Sequence, residues 1–213
     1  THRGARRATI LFHDNGVLGK TVQRLDTVSL VGSVPYHQQG WDGDVGELAY
    51  ANGPEMFLTG DGTSWSLFKV LNPYYSPCVG RFLEFRLAVT DYTLGGIGRT
   101  GLLFAADFST VAVYLEFRGG CLVLSNAPGG GAIVIVTIPW DDGAARTYRV
   151  ELDVGLSLIM LYVDNVTQAV IPVGLFNPST LPGSVVVMAD ASSGGTFRVA
   201  LRGLCYGGTV ETM

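Results

Sequence analysis

The sequence predicts an all-β fold, a two-sheet antiparallel jelly-roll sandwich preceded by an N-terminal arm, and three observations carry that expectation. Short runs rich in Val, Leu, Phe and Tyr alternate with period two from about residue 55 to the end, the spacing that sends successive side chains to opposite faces of a strand. Glycine supplies 29 of 213 residues without a collagen period, roughly twice ordinary usage, which calls for many tight turns. No segment carries a helical apolar stripe of about ten residues or more, so a βαβ or parallel-sheet architecture is not expected.

In order along the chain, the expected strands are 56–58, 64–70, 81–90, 101–105, 111–118, 121–125, 132–138, 147–154, 158–163, 169–172, 184–189 and 196–205. Gly119-Gly120, Pro128-Gly129-Gly130-Gly131, Asp141-Asp142-Gly143, Asp164-Asn165 and Ser193-Gly194-Gly195 punctuate them as hairpin turns. In Tyr148-Arg149-Val150-Glu151-Leu152-Asp153 the apolar side chains take one face and the charged ones the other, so one sheet face there is wet. By contrast, 156–163, 132–138 and 185–188 are nearly continuous apolar runs, which predicts cover on both faces of those strands. The cover would come from a third layer, the N-terminal segment or a neighbouring subunit. Charged residues are only 15% of the chain against about 25% in ordinary soluble domains, which favours the last two.

Composition divides the chain into an arm at 1–49 and a sandwich at 50–213. Arg3, Arg6, Arg7, Lys20 and Arg24 place five of the 14 basic residues in the arm, which also holds a polar loop from Pro35 to Asp44. The apolar stretch at 8–12 is too short for a secretion signal, so none is expected. An arm docked on its own sandwich or on a neighbour is the simplest account. Cys78, Cys121 and Cys205 cannot all pair within one chain and have no metal-ligand spacing, so they are expected to be buried structural thiols. Asn165-Val166-Thr167 is a glycosylation sequon that matters only in a secreted protein. With a net charge of −4 and an isoelectric point near 5.3, and with its basic residues spread thinly along the arm, the chain is not expected to bind nucleic acid. Its apolar runs are too short and interrupted to enter a bilayer.

Over roughly residues 50–210 the chain resembles the laminin-G-like branch of the concanavalin A-like lectin and glucanase superfamily. The residues that carry the resemblance are Gly101-Leu102-Leu103-Phe104, Val113-Tyr114-Leu115-Glu116-Phe117-Arg118-Gly119-Gly120, Thr147-Tyr148-Arg149-Val150-Glu151-Leu152-Asp153 and Leu161-Tyr162-Val163-Asp164-Asn165. Met56-Phe57-Leu58-Thr59-Gly60-Asp61-Gly62 and Phe82-Leu83-Glu84-Phe85-Arg86-Leu87 fall where that family opens, and Phe197 to Leu204 where it closes. The resemblance implies two large antiparallel sheets in a fold used for glycan binding, adhesion, polysaccharide cleavage and the surfaces of viral or phage particles. Fold does not fix function, which depends on the site. The acidic residue that the family's calcium sites typically place ahead of the 113–118 strand is replaced by Val111 and Ala112. Asp107 and Asp190 remain as weak metal ligands, and no metal or other cofactor is expected, since a hard cation needs several oxygen donors together.

Glycoside hydrolysis needs two carboxylates at close spacing, and the family's Glu-x-Asp-x-x-Glu motif is absent. Glu151 and Asp153 share a strand face, but with Arg149 they read as a solvated face; Glu84 and Arg86, and Glu116 and Arg118, look alike and are expected to form cross-strand ion pairs. His2, His13 and His37 all lie in the arm, and there is no nucleophile elbow or phosphate-binding loop. Gly96-x-Gly98-x-x-Gly101 matches a dinucleotide fingerprint by letter but has no helix after it, so it is a turn. Metal-free sugar recognition uses aromatic rings against pyranose faces with acidic groups reading hydroxyls. Trp140 with Asp141 and Asp142 fits best, followed by Trp41 with its acidic neighbours, and more weakly Trp65 and Tyr74-Tyr75.

The leading expectation is a non-enzymatic, self-associating lectin-like sandwich serving as a surface module of a larger assembly, with a phage or virus particle as the setting. Its partners would be copies of itself or other subunits, and it would sit on a virion or extracellular surface. The rivals are a glycan-binding adhesion module built on the Trp140 loop, and a polysaccharide hydrolase or lyase of the same fold.

Overall fold

A computed structural model describes residues 21–43, 49–61, 65–70, 80–93, 101–108, 110–118, 121–127, 134–139, 143–178, 184–190 and 196–212. Its strands are β1 (Thr21–Val31), β2 (Asp42–Gly43), β3 (Ala49–Asn52), β4 (Glu55–Asp61), β5 (Trp65–Val70), β6 (Gly80–Thr93), β7 (Gly101–Asp107), β8 (Ala112–Arg118), β9 (Cys121–Ser125), β10 (Val134–Pro139), β11 (Arg146–Asp153), β12 (Leu158–Val163), β13 (Val166–Pro172), β14 (Ser184–Asp190) and β15 (Thr196–Thr212). Two short 3-10 turns, Tyr36–Gln39 and Val173–Leu175, are the only helical elements among the described residues.

The strands form two antiparallel sheets, as the alternation predicts. Sheet A has eight strands in the order β13-β12-β11-β6-β15-β4-β3, with β1 also on β15; sheet B has seven in the order β10-β9-β8-β7-β14-β5-β2. The long strand β15 organises sheet A, lying along β6 on one side and sharing its other side between β4 (Thr196 to Leu201) and β1 (Gly203 to Thr212). Gly32 sits at that changeover, where its N–H reaches the Arg202 carbonyl and a Cβ would run into the Leu201 carbonyl oxygen. Only glycine lets the backbone approach so closely.

Between the sheets lies one apolar core, centred on four rings. Phe85 of sheet A stacks on Phe104 of sheet B at 4.0 Å between centroids, and Phe117 meets Tyr148 edge-on at 5.1 Å. Such pairs add about 0.5–1.5 kcal/mol beyond the area they bury. On β11 the pattern is as predicted: Tyr148, Val150 and Leu152 are buried, and Arg149, Glu151 and Asp153 face outward.

Three expectations change. First, the described part of the N-terminal region is not an appendage, because β1 is a full strand of sheet A, Trp41 is in the core and Asp42–Gly43 pairs with β5. No boundary at 49/50 divides these residues from the sandwich; residues 1–20 lie outside the described set. Second, the strands buried on both faces are not those with the longest apolar runs. On their outer side Leu158, Met160 and Tyr162 of β12 and Val186 and Met188 of β14 are only half-buried and Thr137 of β10 is exposed, whereas every described side chain of β7, β8 and β9 is buried except half-buried Cys121. An apolar run alone therefore does not report burial on both faces, since β14 lies inside sheet B between β7 and β5 and still has a half-buried outer side. Third, neither Cys121 nor Cys205 is in a disulfide among the described residues, and both are half-buried rather than buried; Cys78 lies outside the described residues.

Candidate functional site

The predicted glycan-binding loop of Trp140, Asp141 and Asp142 lies outside the described residues, as do Tyr74 and Tyr75. Trp41, the other sugar-binding candidate, is corrected by the structure. It is 2% exposed, and its indole Nε1–H donates to the Ser29 carbonyl at 3.0 Å. A ring packed in the core offers no face to a pyranose, so Trp41 anchors the loop after β1. Gln39 holds the same loop, its side chain bonding to the backbone of Val31 and Val34.

Asp107 and Asp190, the weak metal ligands, pair with Ala112 and Gly101 respectively and so lie at opposite ends of β7. Six residues of extended strand separate them by about 20 Å, far beyond the reach of one cation. The Asp107 carbonyl is engaged by the Tyr206 hydroxyl at 2.6 Å. Among the described residues no group of three or more His, Cys, Asp or Glu is placed to hold a metal.

The groups that the structure does bring together lie on the outer face of sheet A. Strand pairing aligns Thr167, Tyr162, Arg149, Glu84, Cys205 and Ser29 in a row across six strands. Arg149 is its centre. The guanidinium lies 4.3 Å from the Tyr162 ring centroid, 3.8 Å from a Glu84 oxygen and 3.5 Å from the Asn165 amide oxygen. Its Nε is 3.5 Å from Glu151, within charge attraction but without hydrogen-bond geometry. The Tyr162 hydroxyl donates to the Met160 sulfur at 3.2 Å. Burial pushes the Tyr162 phenol above its ordinary value, Glu151 adds to the rise, and Arg149 opposes it. Beside this row, Asp164 and Asn165 form a two-residue hairpin with positive φ at both positions, as the tight Asp-Asn turn predicts. Asp164 accepts from the Thr147 N–H and pairs with Arg146 at 3.3 Å.

The predicted cross-strand pair of Glu84 thus forms, with Arg149 as partner. Of Glu151 and Asp153, the carboxylates on which the hydrolase or lyase alternative rests, Glu151 faces Arg149, and Asp153 accepts the Leu156 N–H at 2.9 Å to close the β11–β12 turn.

Sequence reasoning missed the outer face of sheet B. There Leu103, Ala105, Ala112 and Tyr114 form a second apolar cluster against Val186 and Met188, with Tyr114 2% exposed. Glu116, Val123 and Ser125 on the same face are buried as well. Period-two alternation marks Tyr114 and Glu116 as outward, and the number of strands flanking β8 is what a single sequence withholds.

No family model matches this chain, and no curated protein matches its sequence. Solved structures match its fold. A carbohydrate esterase of the Shiga toxin-encoding bacteriophage phi24B aligns over 87% of this chain and 99% of its own, at 14% identity and a TM-score of 0.67. The carbohydrate recognition domain of Emp47p aligns over 87% and 96%, at 14% identity and a TM-score of 0.58. The receptor binding domain of botulinum neurotoxin D aligns over 88% of this chain but 50% of its own, at 11% identity and a TM-score of 0.58. These likenesses bear out the fold, a two-sheet antiparallel jelly-roll sandwich. Among the described residues no helix is long and apolar enough to cross a membrane.

Proposed function

We propose that this chain is a non-enzymatic, self-associating lectin-like module on the surface of a larger assembly, a phage or virus particle, and that it belongs to the laminin-G-like branch of its superfamily. The observation that carries the reading is the placement of the exposed large apolar side chains. Of the eight exposed large apolar side chains among the described residues, five (Val154, Leu156, Val166, Val170 and Leu175, 52 to 65% exposed) lie in or beside β12 and β13, while Val31 lies in β1 and Phe68 and Val70 in β5. Scattered apolar residues are normal on a surface, whereas a group on one rim marks an interaction site. The occupied carboxylates of the polar row support the absence of catalysis, and the likeness to a bacteriophage protein supports the setting. Size-exclusion chromatography with light scattering tests it: an oligomer is expected, and a clean monomer at about 100 µM overturns it.

A second reading, glycan binding, is favoured by the likeness to a carbohydrate recognition domain and by the Arg149–Tyr162 row, which sets an aromatic ring among hydrogen-bonding groups. In this reading Trp140, Asp141 and Asp142 contribute from their loop. A glycan array would show binding that falls on Trp140→Ala or Tyr162→Ala, and the absence of any bound glycan would remove the reading.

A further inference from the structure

The ends of the two sheets are not alike. β2 has two residues and β3 four, and β1 carries Arg24 and Asp26. β10 is uncharged, but Ile135, Val136 and Ile138 pack half-buried against the core. β13, which closes one end of sheet A, is both uncharged and exposed, and the chain has no Asp, Glu, Lys or Arg from residue 165 to residue 189. Exposed edges are normally guarded by charge, proline or a bulge, because their free N–H and C=O groups recruit other strands. β13 has a bulge at Gln168, where the register with β12 shifts, and a proline at Pro172. Between them Ala169, Val170 and Ile171 stay regular and unguarded.

Directly opposite residues in an antiparallel pair alternate between hydrogen-bonded and non-bonded positions. Pro172 has no N–H to give to β12, so Leu158–Pro172 takes a non-bonded position, and Met160–Val170, two residues along, takes another. The N–H and C=O of Val170 therefore point out of the sheet.

We propose that β13 pairs with β13 of a second copy of this chain, antiparallel about a two-fold axis at Val170, so that the two copies of sheet A join edge to edge. The inference rests on the self-association reading and gives it an interface. An uncharged edge can meet its own image without like-charge contacts, and a two-fold axis presents the same patch from both sides. The two Val170 residues exchange backbone hydrogen bonds, and Gln168 of each copy lies opposite Pro172 of the other. Only a short ladder is regular, so exposed apolar side chains of the rim supply the rest of the contact, and the dimer is reversible and concentration-dependent.

Sedimentation equilibrium on the wild type, V170K, V170E and a 1:1 mixture of the two variants tests this. Val170 is exposed, so both variants should keep the wild-type circular dichroism and Tm. Each alone sets two like-charged side chains on Cα atoms about 5.5 Å apart across the axis and should weaken association at least tenfold. The mixture sets opposite charges there and should recover association to near the wild-type level. Variants that associate like the wild type, or a mixture that fails to recover, overturn the β13 interface while leaving self-association standing. A wild type that is monomeric at about 100 µM overturns both.

Discussion

The two outer faces of the sandwich meet water in opposite ways. On sheet B, Ala105 and Tyr114 are only 1% and 2% exposed, and Leu103, Glu116 and Val123 are buried with them, all within a single chain. On sheet A, the corresponding face carries Arg149, Glu84, Glu151 and Tyr162 half-buried in a charged row, and ends in an exposed apolar rim at β13. The contrast explains the shortage of charge. Strands with both faces withdrawn from water, as β7 to β9 are, have no use for it, so low charge alone does not call for a partner. What calls for one is the uncharged edge of the sheet whose face is otherwise charged.

The sharpest way to break the contrast is to truncate a tyrosine on each face. Tyr114→Ala should cost about 3 kcal/mol, as for other buried aromatic rings, whereas Tyr162→Ala should cost about 1 kcal/mol because its ring is partly open to solvent. Urea unfolding reads both, and equal losses would mean that the two faces are equally sealed. Arg149→Ala comes next, at about 1 kcal/mol or less, since it leaves Glu84 and Glu151 facing each other without their shared cation. In wild type, raising the salt should shrink the Arg149 contribution; a loss indifferent to salt would show that packing on Tyr162 carries it instead.

The smallest effect is on pH dependence. The Tyr162 phenol is raised above its ordinary 10.0, chiefly by burial. A group raised on folding holds its stabilising contribution below the unfolded value and loses it as the pH climbs through the folded one. Stability should therefore decline above about pH 10, and Tyr162→Phe should remove that part of the decline. Arg149 opposes the rise, so absorbance titration of Arg149→Ala should find the phenol ionising at still higher pH.

What could be read from the sequence followed local rules. Strict alternation in 148–153 and the apolar run at 158–163 placed β11 and β12 nearly to the residue, and Asp164-Asn165 marked the turn from β12 to β13. β1 was hidden because Leu25 differs in sequence parity from Val28 and Leu30 across its bulge, where the pairing shifts between Asp26 and Val28 and breaks the period. With β1 unseen, Trp41 reads as a loop aromatic beside acids, since its hydrogen-bond partner Ser29 belongs to that strand. The doubly buried strands were misplaced for a related reason: an apolar run reports that a strand is buried, but sheet order decides how far it lies from an edge. Sheet order is made by contacts such as β6 with β15, more than a hundred residues apart, which no local pattern encodes.

The central claim is that β7 to β9 of sheet B are sealed on both faces by their own chain while the β13 edge of sheet A is completed by a second copy. Backbone hydrogen exchange, followed by mass spectrometry at about 1 µM and about 100 µM protein, tests it most directly. The account predicts that β7, β8 and β9 are protected at both concentrations, and that peptides covering Val166–Pro172 gain protection only at the higher one. Exchange in β13 that is the same at both concentrations would contradict it.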